Sequence, residues 1–557
     1  MDKRLSSDQP TPTELRALDG AIAPGDAPDL LLPALHALND NIGWISPGGV
    51  NEICRRLDLA PATVFGVASF YAMFSTEPRP PAVVHVCDDV PCRLAGALGV
   101  IAALPETPEG WCWERSPCLG LCDVAPAALI TGRQARALAA VTAPAISAAV
   151  LSPAAAPSPP PLHVGALGAA RLVARVDHID PGDIDAYTAA GGFRGLWRAR
   201  EIGPAAVIEE ITSSGLVGRG GAAFPAGAKW EAVAHAADPV RYLVGNADES
   251  ETGTFKDRVL LEGDPFAVIE GMAIAAFACG VTKSFIYLRG EYPHAWERLK
   301  RAIDAVRERE GFDVELRRGA GAYICGEETA LFNSLEGRRG EPRSKPPFPT
   351  AAGLFGRPTI VHNVETLANV PLIVSDGAAA WRSTGTEGSP GTKLFSVCGQ
   401  VRRPGVYEVP FGTTLGTVIS EMGGGVQDGR RLQAIQCGGA AGTFLRPDDV
   451  ELRLTFEDLR ARGATVGSGA VVVIDDTASL IDLVRRTAEF FADESCGQCV
   501  PCRVGTVRQV ELLGRLEEES TRALLAEVGQ VMRDASICGL GQTASSAVLS
   551  ALAEFAL

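Results

Sequence analysis

Long hydrophobic runs are missing from this sequence. A helix that crosses a membrane needs a run of about 18 or more apolar residues, and no stretch approaches that length. The opening segment, MDKRLSSDQPTPTELRALDG, also lacks the apolar core of a secretory signal peptide. We therefore expect no membrane span and a cytoplasmic location, unless the folded protein is exported together with a partner that carries a signal.

Positive charge is also scarce. Lysine and arginine number 51 against 67 aspartate and glutamate residues, which gives a net charge of −16 and a pI of about 5.1. Nucleic-acid binding relies on a basic surface that neutralises phosphates, so this balance excludes a nucleic-acid partner. The hydrophobic share of 46% is typical of a globular protein with sizeable cores, and 557 residues predict several domains.

A disulfide framework is excluded as well. The chain contains 14 cysteines, but a protein without an export signal is expected to keep its thiols reduced. Eight of these cysteines fall into two groups whose spacing needs another explanation. The other six are isolated in the sequence and are expected to be inert buried residues; they are Cys54, Cys112, Cys279, Cys325, Cys398 and Cys437.

The residue patterns predict a multidomain α/β protein. The Ala/Pro/Ser-rich stretch LSPAAAPSPPPL is the clearest domain boundary. The predicted segments are a disordered tail over 1–25, helices plus a small α/β domain over 26–150, a linker over 151–164, an α/β domain with a mostly parallel sheet over 165–385, a β-rich module over 390–475 and a helical region over 478–557.

The C-terminal cysteines have the spacing of an iron–sulfur site. Cys496, Cys499 and Cys502 form C-x2-C-x2-C in ESCGQCVPC, and Cys538 follows in ASICGLG. Three thiolates on one tight turn and a distant fourth are the arrangement that a [4Fe–4S] cluster requires. Zinc also binds four cysteines, although structural zinc sites usually come as paired C-x2-C knuckles.

The N-terminal cysteines form two pairs, Cys87 with Cys92 and Cys118 with Cys122. Two pairs on separate loops of one small domain suit a [2Fe–2S] cluster. The spacing differs from that of plant-type ferredoxins, so zinc and a purely structural role stay open on spacing alone.

A glycine-rich stretch, GLVGRGGAAFPAGAKW, contains Gly218-Arg219-Gly220-Gly221-Ala222-Ala223, which satisfies the dinucleotide-binding pattern G-x-G-x-x-A. We call residues 218–223 the glycine loop. A Rossmann turn follows a strand and opens a helix, whereas the preceding PAAVIEEITSSG predicts a helix and Pro225 follows closely. The pattern therefore indicates a close backbone approach to an anionic group or a flexible loop, not a Rossmann turn.

Several stretches stand in the order of one known family: GRGGAAFPAGAKW, GNADESETGTFKDR, YLRGEY, GAGAYICGEETAL, KPPFP, HNVETL and ESCGQCVPC. Together they resemble the flavin-bearing, NADH-oxidising subunit of respiratory complex I, whose module also serves as the diaphorase subunit of NAD-linked formate dehydrogenases and NAD-reducing hydrogenases. The resemblance covers roughly residues 165–550. Residues 26–150 resemble the neighbouring complex I subunit, a thioredoxin-like [2Fe–2S] protein preceded by a helical bundle, and all four of its ligand positions are cysteines here.

This resemblance implies four structural parts and one function. The parts are a thioredoxin-like [2Fe–2S] domain, a Rossmann-like but non-classical FMN and NAD domain, a ubiquitin-like (SLBB-type) β module and a helical bundle with the [4Fe–4S] cluster. The function is hydride exchange between NAD(H) and FMN, followed by single-electron transfer through the clusters. No catalytic acid or base is expected, because the cofactors perform the chemistry.

The expected partner is a large catalytic subunit. The fusion of both units, with the stretches RRGAGAYICGEE and MRDASICGLGQ, is most similar to the beta subunit of molybdenum- or tungsten-containing formate dehydrogenase. The diaphorase of an NAD-reducing hydrogenase and the NADH-oxidising module of complex I are alternatives. A flavin-free iron–sulfur relay or scaffold is an alternative of a different class.

The resemblance also implies the binding residues. For FMN they are Gly218, Arg219, Gly220, Lys229, Asn246, Asp248, Glu249, Tyr287, Gly290, Glu291, Asn363 and Thr366, and for NAD they are Phe224, Glu251, Lys345 and Phe348. Phe224 and Phe348 are expected to flank the adenine, with core packing as the alternative. Acidic residues near the ribose favour NAD over NADP, since they repel a 2′-phosphate.

Four residues depart from the family pattern. Ala223 stands where glycine is usual, Ala226 replaces threonine, Thr252 replaces proline and His362 replaces asparagine. We expect FMN binding to survive these changes, and His362 to alter the hydrogen bonds of the flavin ring.

Overall fold

The computed structural model describes residues 5–151 and 160–557, and within them the chain begins with short helices. These are α1 (Pro12–Asp19), α2 (Leu31–Ile42), α3 (Pro47–Leu57) and α4 (Pro61–Ala68). The disordered tail predicted over 1–25 is therefore wrong for α1. Thr11 and Glu14 cap this helix reciprocally, and Leu18 is fully buried against its neighbours.

A small α/β unit follows, built on a four-stranded sheet in the order β2-β1-β3-β4. Its elements are β1 (Ala82–Cys87), α5 (Val90–Leu94), α6 (Ala97–Ala102), β2 (Trp111–Ser116), β3 (Ala128–Thr131), β4 (Arg136–Leu138) and α7 (Ala143–Leu151). Strand β1 runs parallel to β2 and antiparallel to β3. Cys87 ends β1 and Cys92 lies in the following helix α5, so both face the same end of the sheet.

The largest unit has a parallel sheet covered by helices. Strand β5 (Val164–Ala166) leads into this unit, and the unit's own elements up to its second strand are α8 (Ile184–Ala189), α9 (Arg194–Ile202), α10 (Pro204–Ser214), α11 (Ala226–Ala234), β6 (Tyr242–Ala247), α12 (Lys256–Gly263), α13 (Pro265–Cys279) and β7 (Lys283–Leu288). The others are α14 (Pro293–Glu310), β8 (Glu315–Arg318), α15 (Glu328–Leu335), α16 (Pro349–Ala352), β9 (Thr359–Asn363), α17 (Val364–Asp376) and α18 (Ala378–Arg382). The sheet order is β8-β7-β6-β9, with all pairs parallel.

The β module has a six-stranded sheet in the order β13-β12-β14-β10-β11-β5. It contains β10 (Thr392–Gly399), β11 (Gly405–Pro410), β12 (Leu432–Cys437), β13 (Thr443–Leu445), α19 (Phe456–Ala461) and β14 (Ala470–Asp475). Its edge strand β5 comes from the end of the predicted linker and pairs with β11 through Val164, Gly165 and Ala166. Residues 152–159 of that linker lie outside the described residues.

Five helices complete the chain: α20 (Leu480–Asp493), α21 (Val500–Leu513), α22 (Thr521–Ala535), α23 (Gly539–Thr543) and α24 (Ser546–Glu554). The predicted multidomain α/β fold is thus confirmed. Within the described ranges, none of the helices combines the length and the apolar character that crossing a membrane requires.

Candidate functional site

A cavity of about 370 Å³ lies where the parallel sheet, the β module and the C-terminal helices meet. We call it the central cavity; its volume falls in the usual range of small-molecule sites, about 300–1,000 Å³. Strand β6 pairs with β7 on one side and with β9 on the other. Ligands of open α/β sheets bind at such a reversal, outside the carboxyl ends of the strands. Asn246 of β6 and Asn363 of β9 both line the cavity there.

The glycine loop forms one wall through Gly220, Gly221 and Ala222. It connects helix α10 to helix α11, so the prediction that it is not a Rossmann turn agrees with the structure. The loop is closed by a hydrogen bond from the Gly218 amide to the Phe224 carbonyl at 2.9 Å. A side chain at Gly220 would crowd Asn363, whose Cβ lies 3.0 Å from the added atom. The missing side chain therefore lets the glycine loop pack closely against Asn363.

Arg219 is held in a different way from the prediction. Its amide donates to the Thr366 hydroxyl at 2.8 Å, which ties the loop to the start of α17. Its guanidinium does not line the cavity; it lies 4.8 Å from the centre of the Phe411 ring in the β module and donates to the Pro390 carbonyl. Burial lowers the pKa of Arg219 to about 10. The side chain therefore anchors the loop from behind, and phosphate binding falls to backbone amides.

Three residues at the carboxyl end of β6 are predicted to contact FMN. Asn246, Asp248 and Glu249 all line the central cavity. Burial raises the pKa of Asp248 well above its usual value, and its Oδ2 atom has no hydrogen-bond partner among the described residues. Glu249 accepts from the amides of Asp257 and Arg258, and burial raises its pKa to about 7. These three residues therefore place polar groups along one wall of the cavity.

Residues of YLRGEY are predicted to contact FMN, but none of them lines the central cavity. The Tyr287 hydroxyl bonds to Ser334 in the core. A Cβ on Gly290 would lie 2.5 Å from the Gly319 carbonyl, and Glu291 pairs with Arg289 at 2.8 Å.

The pattern Tyr-x-x-Gly-Glu occurs a second time, as Tyr323-Ile324-Cys325-Gly326-Glu327. Of that copy, Tyr323, Ile324, Gly326 and Glu327 line the cavity. The second copy of the pattern, and not the YLRGEY copy, is therefore the one that lies at the cavity.

The predicted NAD residues lie at and beyond the rim. Glu251 lines the cavity and accepts from the Ala441 amide, while Phe224 and Phe348 are 52% and 60% exposed. Such exposure is unlike the alternative of core packing. Glu328 bonds to Lys345 at 2.8 Å and to Lys229 at 3.2 Å. Lys229 in turn lies 5.7 Å from the Phe224 ring centre, so these groups form one continuous edge outside the cavity.

Sequence reasoning missed a buried charge cluster behind the loop. Lys256 lines the cavity and bonds to Asp257 at 2.7 Å and Glu365 at 3.2 Å. Burial alone would lower the pKa of Lys256, but the nearby carboxylates together outweigh burial and raise that pKa. Lys393 of β10 bonds to Glu365 at 2.6 Å and to the Arg219 carbonyl at 3.2 Å, and burial lowers its pKa to about 8. The β module thus supports the glycine loop directly.

Two departures from the family pattern gain a physical account. Thr252 donates to Asp89 of the small α/β unit at 2.6 Å, in a buried contact between two units. His362 accepts from the Trp230 indole at 2.7 Å, and burial lowers its pKa to about 3. His362 is absent from the cavity lining, so the expected effect on the flavin ring has no contact to support it.

The four C-terminal cysteines, which we call the outer cysteine site, gather at the ends of helices α21 and α23. Cys499 directly precedes α21 and Cys538 directly precedes α23. An added Cβ on Gly541 would lie 2.9 Å from the Cβ of Cys502, so the two segments are packed closely. Cys496 and Cys499 are partly exposed, whereas Cys502 and Cys538 are buried.

We call the four N-terminal cysteines the inner cysteine site. Each of them is at most 4% exposed. The sulfurs of Cys118 and Cys122 are 3.3 Å apart. Arg289 donates to the Cys118 carbonyl at 2.7 Å and Arg258 to the Gly120 carbonyl at 3.0 Å. Both arginines belong to the largest unit, so the inner site lies against it.

Both cysteine sites have the donor set of an iron–sulfur cluster. Each consists of four cysteines outside any disulfide, and cysteine thiolates are the ligands that hold such clusters.

Known families match the chain segment by segment. Residues 22–150 match "Thioredoxin-like [2Fe-2S] ferredoxin", residues 211–372 match "Nuo51 FMN-binding domain", residues 394–443 match "SLBB domain", and residues 482–557 match "NADH-ubiquinone oxidoreductase-F iron-sulfur binding region". The FMN and iron–sulfur cofactors and the SLBB-type module are thereby confirmed.

Curated relatives agree with this assignment. The NADP-reducing hydrogenase subunit HndC of Solidesulfovibrio fructosivorans is 44% identical over 68% of this chain and 80% of its own length. The NAD-reducing hydrogenase HoxS subunit alpha of Cupriavidus necator is 36% identical over 94% of this chain and 90% of its own length. An NADH-quinone oxidoreductase subunit of Rhizobium meliloti is 43% identical over 69% of this chain and 95% of its own length.

A solved structure extends the likeness to nearly the whole fold. A chain of an NAD+-reducing [NiFe]-hydrogenase in the air-oxidised state matches with a TM-score of 0.82 and 35% identity, over 96% of this chain and 92% of that one. The protein is an electron-transfer oxidoreductase subunit that uses FMN, a [2Fe–2S] cluster and a [4Fe–4S] cluster with NAD(H) as substrate. The chain belongs to the family of NADH-oxidising flavin subunits shared by complex I and NAD-linked hydrogenases, in the form that carries the thioredoxin-like [2Fe–2S] domain on the same chain.

Proposed function

We propose that this chain is the NAD-reactive subunit of a formate dehydrogenase, in which electrons taken from formate by a molybdenum- or tungsten-containing partner reduce NAD+. The electron-transfer part rests on one observation. Gly539, Leu540 and Thr543, which directly follow Cys538, line the central cavity. The outer cysteine site therefore adjoins the cavity wall. The formate part rests on the resemblance of RRGAGAYICGEE and MRDASICGLGQ to formate dehydrogenase beta subunits.

The chain's residues divide the work by position. The amides of the glycine loop and the Asn363 side chain would hold the phosphate and ribityl chain of FMN, and Asn246, Asp248 and Glu249 would contact the remainder of the cofactor. When bound, FMN exchanges a hydride with NAD(H) and electrons with the clusters. Phe224, Phe348, Lys345 and Glu251 would hold NAD(H) at the rim.

The cysteine sites would hold the clusters. We assign the [2Fe–2S] cluster to Cys87, Cys92, Cys118 and Cys122, and the [4Fe–4S] cluster to Cys496, Cys499, Cys502 and Cys538. These residues lie in the two segments that match the corresponding iron–sulfur families.

An exposed apolar face beside the outer cysteine site supports a docked partner. Val500, Val504 and Val507 follow one side of α21 and are 59%, 49% and 48% exposed. Val531 of α22 and Ile537 beside Cys538 are 56% and 39% exposed. We call these five residues the apolar face. Electrons leave most directly where ligands of a cluster reach the surface, and apolar residues there suit burial under another subunit.

A hydrogenase diaphorase is the second candidate, because the HoxS alpha subunit matches 94% of this chain. Purifying the complex from its native host and measuring its metals separates the two. Molybdenum or tungsten with formate-dependent NAD+ reduction supports the proposal, whereas nickel with hydrogen-dependent NAD+ reduction supports the second candidate. A purified chain with both clusters but neither FMN nor NADH–dye activity would contradict both.

A further inference from the structure

The hydroxyl of Ser495 lies beside one ligand of the outer cysteine site. Its oxygen is 3.3 Å from the Cys502 sulfur, within hydrogen-bonding distance. The spacing of the cysteines assigns no role to Ser495, which directly precedes Cys496. At the inner site a main-chain amide, that of Gly120, lies 3.4 Å from the Cys118 sulfur and donates to it. The outer site thus has a side-chain partner that a substitution can remove.

Two contacts hold Ser495 close to helix α21, which carries Cys502. The Gly497 amide donates to the Ser495 hydroxyl oxygen at 3.4 Å, and Gly497 has a φ of +77°, a left-handed conformation that favours glycine. Arg503 of α21 donates to the Gly497 carbonyl at 3.2 Å. The loop before the helix is therefore joined to the helix, and these contacts set the distance between the hydroxyl and the sulfur.

The chemistry of a cluster ligand decides which of the two atoms donates. A cysteine ligates iron as a thiolate, and a thiolate has no proton to donate. The Ser495 hydroxyl has one proton, and its oxygen accepts from the Gly497 amide, so the proton is available to the sulfur. A donor bonds more strongly to a charged acceptor than to a neutral one. Ser495 is therefore the donor and Cys502 the acceptor in the cluster-bound protein.

We propose that Ser495 is a positioning residue that donates a hydrogen bond to the Cys502 sulfur and raises the reduction potential of the [4Fe–4S] cluster. Hydrogen bonds to ligand sulfurs are one means by which a protein sets such a potential. The reduced cluster carries one more negative charge, so a donor to its ligand stabilises it more than the oxidised cluster. The inference rests on the proposed ligation of this cluster by the outer cysteine site.

The test compares two substitutions of equal shape at Ser495. Ser495→Thr keeps the hydroxyl, whereas Ser495→Val has a methyl group in its place. Ser495 lines a cavity of about 250 Å³, and the added methyl group of valine excludes a water molecule that would otherwise replace the hydroxyl as donor.

The reduction potential is measured by redox titration of the [4Fe–4S] signal, followed by electron paramagnetic resonance, in the purified holoprotein. Ser495→Val should favour reduction less than Ser495→Thr by about threefold to tenfold, where tenfold is 59 mV for one electron. Ser495→Thr should stay near the potential of the unchanged protein, because it keeps the donor.

Thr506 supplies the matched control. It is fully buried in α21, and its hydroxyl donates to the Cys502 carbonyl at 2.9 Å and not to the sulfur. Thr506→Val therefore makes the same exchange of hydroxyl for methyl beside the same ligand, and it should leave the potential unchanged.

Three results would overturn the inference alone. They are equal potentials in Ser495→Val and Ser495→Thr with the [4Fe–4S] signal intact, an equal fall in Thr506→Val, and loss of the signal from Ser495→Val only, which would mean that the hydroxyl retains the cluster and does not set its potential. Absence of the signal from the unchanged protein would overturn the proposed ligation as well.

Discussion

The two cysteine sites differ in enclosure more than in composition. The inner site is buried, and Arg289 of the largest unit bonds to the carbonyl of its ligand Cys118. The outer site has two partly exposed cysteines beside the apolar face. Tyr292 bonds to Glu249 of the cavity at 3.1 Å and packs against Gly120 between two inner ligands, so both sites adjoin the central cavity. From this difference in enclosure we infer that the inner site exchanges electrons with the cavity and the outer site with a partner.

The largest expected effect is the difference in partner-linked activity between a variant that lacks one outer cysteine and a variant that lacks one inner cysteine. Cys502→Ala should lower partner-linked NAD+ reduction to background, because the route to the surface is lost, while NADH–dye reduction continues at the cavity. Cys122→Ser should leave partner-linked turnover largely in place, since that site does not lie on the direct route. Cluster signals and both activities are measured on the same preparations.

Cys279→Ala, a buried cysteine of the core apart from both sites, is the control for that pair. Equal losses of partner-linked activity in Cys502→Ala and Cys122→Ser, with each variant keeping its other cluster, would contradict the division of roles.

A charge on the apolar face is the next test. Val504→Asp should weaken binding of the partner subunit by at least about tenfold, because a desolvated carboxylate in an interface centre is costly. Association is measured by analytical ultracentrifugation. Leu98→Asp is the control, because Leu98 of the small α/β unit is 46% exposed and Val504 is 49% exposed. This change should leave association intact. A larger effect than that of Val504→Asp would place the partner at the small α/β unit.

The junction at the inner site is tested by Thr252→Val. Losing the buried bond to Asp89 leaves a carboxylate oxygen with one partner fewer and should cost about 1–3 kcal/mol of docking stability. We expect faster amide hydrogen exchange in this variant, confined to residues 82–150. Thr188→Val, which removes a hydroxyl bonded within its own helix, should change nothing there, and a uniform loss of protection across the chain would speak against a local junction.

The smallest effect concerns the glycine loop, which touches neither cysteine site. Ala223 has a φ of +52°, in the left-handed region that costs a non-glycine residue about 1 kcal/mol. Ala223→Gly should bind FMN at least as tightly and melt slightly higher, with both cluster signals unchanged. Fluorescence titration of FMN checks this; markedly weaker binding would mean that the methyl group contributes to the site.

Local patterns predicted local features well. The spacing of the outer cysteines and the helix before the glycine loop could be predicted from the sequence, because each depends on neighbours along the chain. The contact of Lys393 could not, since its partner Glu365 lies 28 residues away in another unit. The position of the Arg219 side chain could not be predicted either, because it packs against Phe411 of the β module.

Strand β5 has a consequence for how the halves of the chain stay together. Main-chain hydrogen bonds join the segment that leaves the small α/β unit to the sheet of the β module. The covalent connection thus keeps the small α/β unit on a short tether, so its effective concentration at the surface of the largest unit stays high. Fusion of the two units also fixes their ratio at one to one, so synthesis of a single polypeptide takes over the task that assembly equilibria perform for separate subunits.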